Sequence, residues 1–185
     1  MFLGYLIFIF PAVAVVSAIL YLPFYFVQRK KYGKRPFSIH FANYGLIGVT
    51  LSILYLTIFL GGITFTPGYH LCNLIPFVWV KQTYAMGYGK MMKQLLLNVG
   101  MFVPFGFFLP FAVKRMRKWN RTFLTAMMFS FAIEFVQYFI GRSADVDDLI
   151  TNTIGGLIGY VLFYLLFMRK KKQEEYGNVL SFRKM

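Results

Sequence analysis

Seven polar residues in a largely apolar chain have the types and spacing that ligand binding or acid–base chemistry requires. Glu134 precedes Gln137 by three residues, and Asp145, Asp148 and Asn152 follow one another at intervals of three and four. Side chains at such intervals share one face of a helix. The full candidate set is Asn98, Glu134, Gln137, Arg142, Asp145, Asp148 and Asn152. We expect these residues to line one binding site.

The spacing alone does not select the chemistry of this set. Carboxylates and amides suit Mg²⁺ or Ca²⁺, paired carboxylates suit acid and base roles, and a guanidinium such as that of Arg142 suits a phosphate. The sequence has no HExxH, glycine-rich phosphate loop or serine-nucleophile motif, and Cys72 is its only cysteine. It therefore identifies no catalytic residue and no metal, and it predicts no cofactor.

The elements that must position these residues are membrane helices. Hydrophobic residues make up 58% of the 185 residues and charged residues 14%, whereas soluble domains carry roughly 25% charged residues. About 20 apolar residues cross a bilayer as a helix. Five windows meet this requirement: Gly4 to Val27, Asn43 to Gly62, Leu95 to Val113, Thr122 to Ile140 and Leu149 to Met168. The predicted fold class is an all-α integral membrane protein, a bundle of five transmembrane helices.

The basic residues predict how this bundle is oriented. Sixteen of the 20 Lys and Arg residues follow the first, third or fifth window, and positive charge is retained in the cytoplasm. We therefore expect the N-terminus outside and the C-terminus in the cytoplasm. The net charge of +14 then reflects topology, with anionic lipids as partners and no nucleic acid. The predicted divisions are residues 1–60 (two helices and a basic loop), 61–168 (the core) and 169–185 (a basic tail).

This topology places the candidate set at the outer leaflet. Glu134 is the only acid inside a predicted span, and an intramembrane ionisable group is costly enough to suggest function. Packing roles are the alternative: Asp145 or Asp147 as a helix N-cap, Arg142 paired with Glu134 or Asp148, and the amides as interhelical hydrogen bonds. Since Asp147 falls on a different helical face from Asp145 and Asp148, we expect it to cap the helix or face water.

Two further segments bear on the architecture. Gly155 and Gly159 form a small-xxx-small pattern, which predicts close packing of the last helix at the centre of the bundle, with a helix-mediated dimer as the alternative. Residues 74–80 (LIPFVWV) are too short to span. We expect them to form an interfacial or re-entrant part of the outer loop that covers the polar site. Plain packing against the bundle is the alternative.

Motifs along residues 61–167 resemble those of the VanZ-like family. They are Asn73-Leu74-Ile75-Pro76-Phe77, Asn98, the run FVPFGF at 102–107, Glu134 with Gln137, Arg142, Asp148, and the run NTIGGLIGY at 152–160. The resemblance implies a multi-pass protein of the bacterial plasma membrane. It also implies an association with resistance to teicoplanin, a glycopeptide antibiotic with a lipid tail, but it implies no established reaction.

Three functions remain open from the sequence. The first is an envelope protein that binds a lipid-linked cell-wall precursor or a lipoglycopeptide through the outer polar site, with Glu134, Arg142 and Asp148 as main contacts. The second is an intramembrane, metal-assisted hydrolase or transferase acting on a lipid-phosphate substrate. The third is a structural or partner-recruiting subunit that uses Gly155 and Gly159. Whether the protein is an enzyme stays open.

Overall fold

Five long helices make up most of the described chain, which in this computed structural model comprises residues 2–60, 72–78 and 87–169. They are α1 (Phe2–Tyr32), α2 (Phe37–Leu54), α3 (Tyr88–Ala112), α4 (Trp119–Phe139) and α5 (Val146–Phe163). π-helical turns extend α2 over Tyr55–Phe59 and α5 over Tyr164–Met168, and a 3₁₀ turn, Lys114–Met116, follows α3. Within these ranges five helices are long and apolar enough to cross a membrane, which confirms the five predicted spans.

The helices extend past the apolar windows that predicted them. α1 continues through Arg29, Lys30 and Lys31, and α3 begins at Tyr88, seven residues before the predicted start. Hydropathy marks only the part of a helix that lies in hydrocarbon, whereas backbone hydrogen bonding continues into the headgroup region. Cations in the last turn of α1 also interact favourably with the negative end of the helix dipole.

α3 and α5 form the centre of the bundle. α5 contacts α3 most extensively and α4 next, while α2 packs on α3 and α1 packs on α2. Only 6% of the α1 span is buried, against 33% of the α4 and α5 spans, so α1 is peripheral. A cluster of buried apolar side chains lies beside this centre and comes from α2, α3 and α4: Ile53, Phe102, Phe105, Leu109, Ala126 and Ile133.

Glycine brings the backbones of α3 and α5 into contact. A methyl group added at these glycines would meet the facing backbone: Val99 O at 2.3 Å from Gly155, Val103 O at 2.0 Å from Gly159, and Gly156 O at 1.9 Å from Gly106. The predicted close packing of the last helix is therefore confirmed. Because α3 occupies this face, a dimer through Gly155 and Gly159 would have to displace α3.

A short parallel strand pair joins the outer connection to the start of α5. β1 (Cys72–Asn73) pairs with β2 (Ala144–Asp145), with Cys72 opposite Ala144. The all-α prediction did not include it, because pairing between segments about 70 residues apart has no local signal. The predicted loop falls partly outside the described residues, and its membrane depth and the orientation of the bundle stay predictions.

Candidate functional site

Glu134 lies near the end of α4, and its side chain is hydrogen-bonded to the backbone at the start of α5. α4 ends at Phe139, and Gly141 follows with a left-handed φ of 80°, a conformation that glycine adopts without strain and that commonly terminates helices. The chain reverses there. The Glu134 side chain is only 8% exposed, and its Oε2 accepts a hydrogen bond from the Asp145 backbone N–H at 2.9 Å. The turn therefore supplies a hydrogen bond to a carboxylate inside the membrane-spanning helix.

One carboxylate oxygen of Asp145 accepts two hydrogen bonds, which join the start of α5 to residues 72–78. Asp145 is the N-cap of α5, and its Oδ1 accepts from the Asp147 backbone N–H at 2.9 Å. The same oxygen accepts from Asn73 Nδ2 at 3.1 Å, while Asn73 Oδ1 accepts from the Ile75 backbone N–H at 3.2 Å. Such capping satisfies a backbone donor that the first helical turn leaves unpaired. The capping alternative considered for Asp145 is thus confirmed.

Asp147 does not cap the helix or face water, so the prediction for this residue was wrong. It is 5% exposed, and its Oδ1 accepts from the Phe77 backbone N–H at 2.6 Å. Phe77 has a φ of 65°, which is uncommon for a residue other than glycine. The face of α5 that the sequence suggested would be solvated is covered by residues 72–78, whose position depends on the strand pair.

A cavity of about 300 Å³ lies between α4, the strand pair and the first turn of α5. Glu134, Asp145 and Asn73 are its polar lining residues. The remaining lining is mostly apolar: Cys72, Leu74, Phe131, Phe135, Tyr138, Phe139, Ala144, Val146 and Leu149. We call this space the lateral cavity.

Exposed apolar side chains form the rim of the lateral cavity. Phe131, Phe135 and Phe139 are 60%, 55% and 54% exposed, and Leu74 is 75% exposed. The three phenylalanines recur every four residues along a membrane-spanning helix, so they share one face. Large exposed apolar side chains on such a face contact lipid. This aromatic repeat is a signal in the sequence that indicates the apolar wall of the cavity.

The side chains of Gln137 and Arg142 donate hydrogen bonds to α2 and do not line the lateral cavity. Gln137 Nε2 donates to Thr57 O at 2.9 Å, and Arg142 Nη1 donates to the same oxygen at 2.6 Å. Thr57 lies in the π-helical turn at the end of α2, where helix carbonyls lack intrahelical donors and a cation is favoured. Among the described residues, this carbonyl rather than Glu134 or Asp148 is the hydrogen-bond partner of the Arg142 guanidinium.

The remaining candidates form two separate pairs. Asn98 Nδ2 on α3 donates to Asp148 Oδ1 at 2.6 Å. Asn152 Nδ2 donates to Ser130 Oγ at 3.0 Å within the α4–α5 contact. The interhelical role considered for the amides is thus observed. All seven predicted residues lie toward one end of the bundle, but only Glu134 and Asp145 line the lateral cavity.

The candidate residues offer carboxylates and amides that suit a divalent ion. Across residues 2–60, 72–78 and 87–169, no group of three or more His, Cys, Asp or Glu side chains is placed to hold an ion. The carboxylates are instead arranged around backbone N–H and amide donors.

A family described as VanZ/LLP1 matches residues 41–167, a range that includes all seven candidate residues. The chain is 31% identical over 91 residues to Protein VanZ of Enterococcus faecium, a match that covers 49% of this chain and 55% of that protein. The match therefore spans about half the length of that relative. No solved structure matches the chain.

Proposed function

Because the chain belongs to the VanZ/LLP1 family, we propose that it is a bacterial plasma-membrane protein of the cell envelope that contributes to teicoplanin resistance. In this proposal it acts by binding a lipophilic ligand in the lateral cavity. The ligand class is a lipid-linked cell-wall precursor or the lipid-bearing antibiotic itself. The observation that carries the proposal is a lipid-facing aromatic rim with a buried carboxylate, Glu134, behind it.

The polar contact rather than the apolar contact sets the affinity in this proposal. An acyl chain that leaves lipid for the rim exchanges one apolar environment for another, so it gains little hydrophobic free energy. A hydroxyl or ammonium group that reaches Glu134 and Asp145 gains charge-assisted hydrogen bonds, each on the order of 1.5–3 kcal/mol. The rim therefore selects and orients a lipidated molecule, and the carboxylates hold its head group.

The other five candidate residues have positioning roles in this proposal. Gln137 and Arg142 hold the α4–α5 turn against α2. Asn98 holds α3 to α5 through Asp148, and Asn152 holds α4 to α5 through Ser130. Each pair supports a wall of the lateral cavity without entering it.

The proposed orientation puts the lateral cavity in the outer leaflet, with the C-terminus in the cytoplasm. The distribution of Lys and Arg supports it, since the connections at the opposite end of the bundle carry Lys34, Arg35 and the basic segment at 114–121. At the outer leaflet the cavity would meet wall precursors and lipoglycopeptides.

Resistance measurements test the cellular role. We expect Glu134→Gln to abolish protection against teicoplanin at unchanged protein level, and Phe135→Ala to reduce it only partly, for the energetic reason given above. Met128→Ala is the matched control, since Met128 is also lipid-exposed on α4 (68%) but does not line the lateral cavity. Full protection by Glu134→Gln, with all variants present in the membrane, would contradict the proposal.

Cysteine labelling tests binding directly. Cys72 is exposed and lines the lateral cavity, and it is the chain's only cysteine. Teicoplanin should slow maleimide labelling of Cys72 in the purified protein. The same glycopeptide without its acyl chain should slow it less, because only the acylated molecule is concentrated in the detergent micelle around the protein. Glu134→Gln should remove this protection. Labelling at the same rate with and without teicoplanin would exclude the antibiotic as the ligand, and the same assay then tests a polyprenyl-linked precursor.

A further inference from the structure

A second cavity, of about 480 Å³, lies at the opposite end of the bundle, between the ends of α1, α2 and α3. Its polar lining residues are Gln28, Arg35, Asn43, Lys114 and Arg117. We call it the basic-end cavity. Arg117 lies two residues before the start of α4, whereas Glu134 lies near the far end of α4. At 1.5 Å per residue the two cavities are separated by more than about 20 Å along the helix.

The cations of the basic-end cavity have no carboxylate near them in the described chain. The sequence has six acidic residues. Four of them, Glu134, Asp145, Asp147 and Asp148, belong to the other end of the bundle, and Glu174 and Glu175 lie outside the described residues. At such separations the attraction between the charges of the two ends is weak. Three basic side chains therefore line one concave space without a nearby counter-charge from residues 2–60, 72–78 or 87–169.

The two arginines are held in place and retain donor capacity. Arg35 lies over the Tyr32 ring at 4.2 Å, and its Nη1 donates to Gln28 Oε1 at 3.4 Å. Arg117 Nε donates to Pro110 O at 3.4 Å. Each guanidinium has five N–H donors, so these contacts use only part of its capacity. Both side chains are half-buried, which limits their freedom before a ligand arrives.

Asn43 adds a neutral polar residue to the wall of the basic-end cavity. The residue is 8% exposed and lines the cavity. Its side chain interacts with the Tyr21 hydroxyl, which lies 2.5 Å from His40 Nδ1. The groups of the cavity that are left to meet a ligand are therefore the cations.

We propose that the basic-end cavity binds a phosphate group, held by Arg35, Arg117 and Lys114. Guanidinium groups match phosphate oxygens with paired hydrogen bonds, and a lysine adds a point charge. The phosphate can come from an anionic phospholipid headgroup or from a soluble ion. The apolar part of the lining, which includes Phe24, Ile39 and Phe111, suits the lipid source, because a phospholipid brings chains beside its phosphate.

The test uses the full-length protein in detergent and a fluorescent short-chain phosphatidylglycerol. We expect saturable binding that Arg35→Gln and Arg117→Gln each weaken roughly tenfold, the equivalent of one charge-assisted hydrogen bond. Arg115→Gln is the matched control. It removes the same charge from the same connection, but Arg115 is exposed and does not line the cavity, so its effect should stay below about twofold. The two test variants lie on different connections, so misfolding of one leaves the other informative.

Two further arms identify the source and the chemistry. Diacylglycerol with the same chains should not bind, because it lacks the phosphate. Displacement of the lipid by millimolar inorganic phosphate would identify the phosphate alone as the recognised group, and failure to displace would identify the phospholipid headgroup with its chains. Equal affinity for wild type, Arg35→Gln and Arg117→Gln, or equal binding of diacylglycerol, would overturn the proposal. None of these outcomes depends on the lateral cavity.

Discussion

The contact between α3 and α5 allows a sharp test of the fold, because two glycines of α3 should respond in opposite directions to the same substitution. A Cβ at Gly106 would lie 1.9 Å from the Gly156 carbonyl oxygen, about 1.5 Å short of the 3.4 Å at which ordinary contact begins. A Cβ at Gly100 meets nothing within 4 Å. Gly100→Ala is therefore the matched control for Gly106→Ala.

The expected changes in the free energy of unfolding depend on which atoms the added methyl group would meet. The obstacle at Gly106 is backbone, which cannot rotate aside as a side chain can, so the two helices must move apart. Overpacking typically destabilises by 1–3 kcal/mol, and a clash with backbone places Gly106→Ala at the upper end of that range. We expect Gly106→Ala to lower the free energy of unfolding by about 3 kcal/mol. Gly100→Ala should raise it by roughly 0.5–1 kcal/mol, because glycine is the more flexible residue in the unfolded chain.

Thermal unfolding in detergent measures both changes. For a chain of this size, about 1 kcal/mol corresponds to a shift in Tm of roughly 2–4 °C. Gly106→Ala should therefore unfold about 6–12 °C below wild type, and Gly100→Ala at or slightly above it. Equal Tm values for Gly106→Ala and wild type would refute the close backbone contact. An equal loss in both variants would show that any α3 glycine is needed, whatever faces it.

Three further predictions concern single contacts and the orientation of the chain. A membrane-impermeant maleimide should label Cys72 in intact cells, whereas Lys114→Cys in a Cys72→Ser background should react only after permeabilisation; the reverse pattern would contradict the proposed topology. Asn98→Leu should destabilise the protein by about 1–3 kcal/mol in the same thermal assay, because it removes the donor that faces Asp148. Replacing Asp148 by Leu as well should recover much of that loss, and an unchanged Tm for Asn98→Leu alone would refute the pairing. Tyr160→Phe should cost about 0.5–1.5 kcal/mol, since the hydroxyl donates at 3.0 Å to a carbonyl of the α3–α4 connection; no change would mean that water replaces this bond.

The carboxylates at the start of α5 show where sequence reasoning succeeds and where it stops. That a capping residue precedes this helix was predictable, because an Asp before an apolar helical run is a local signal. The role of Asp147 was not predictable, because its partner is the backbone of Phe77, 70 residues away. Helical periodicity places Asp147 on a different face from Asp148, but it cannot say that residues 72–78 cover that face.

The grouping of the polar candidates shows the same limit. Their location toward one end of the bundle was predictable from their positions along the spans. Which partner each of them meets was not predictable. Two line the lateral cavity, two donate to Thr57 of α2, and the others form the Asn98–Asp148 and Asn152–Ser130 pairs. The sequence does not indicate that Thr57 and Ser130 are the partners, since an isolated hydroxyl in an apolar window is common. A helix can rotate about its axis without any change in hydropathy, so composition does not reveal which neighbour each polar side chain meets.

Five membrane-spanning helices, the close approach of α5 through its glycines and the depth of Glu134 in α4 were determined by the sequence itself. Each depends on the length of an apolar window or on spacing within one helix, and both are local properties. Only the tertiary structure decided that Glu134 and Asp145 share one cavity, that Arg142 donates a hydrogen bond to the end of α2, and that Arg35 and Arg117 line a second cavity with Asn43. Those arrangements depend on the rotation of whole helices and on contacts between residues far apart in the chain. Because lipid solvates every apolar face about equally well, the bilayer supplies little preference for one rotation over another, and interhelical packing and hydrogen bonds make the choice.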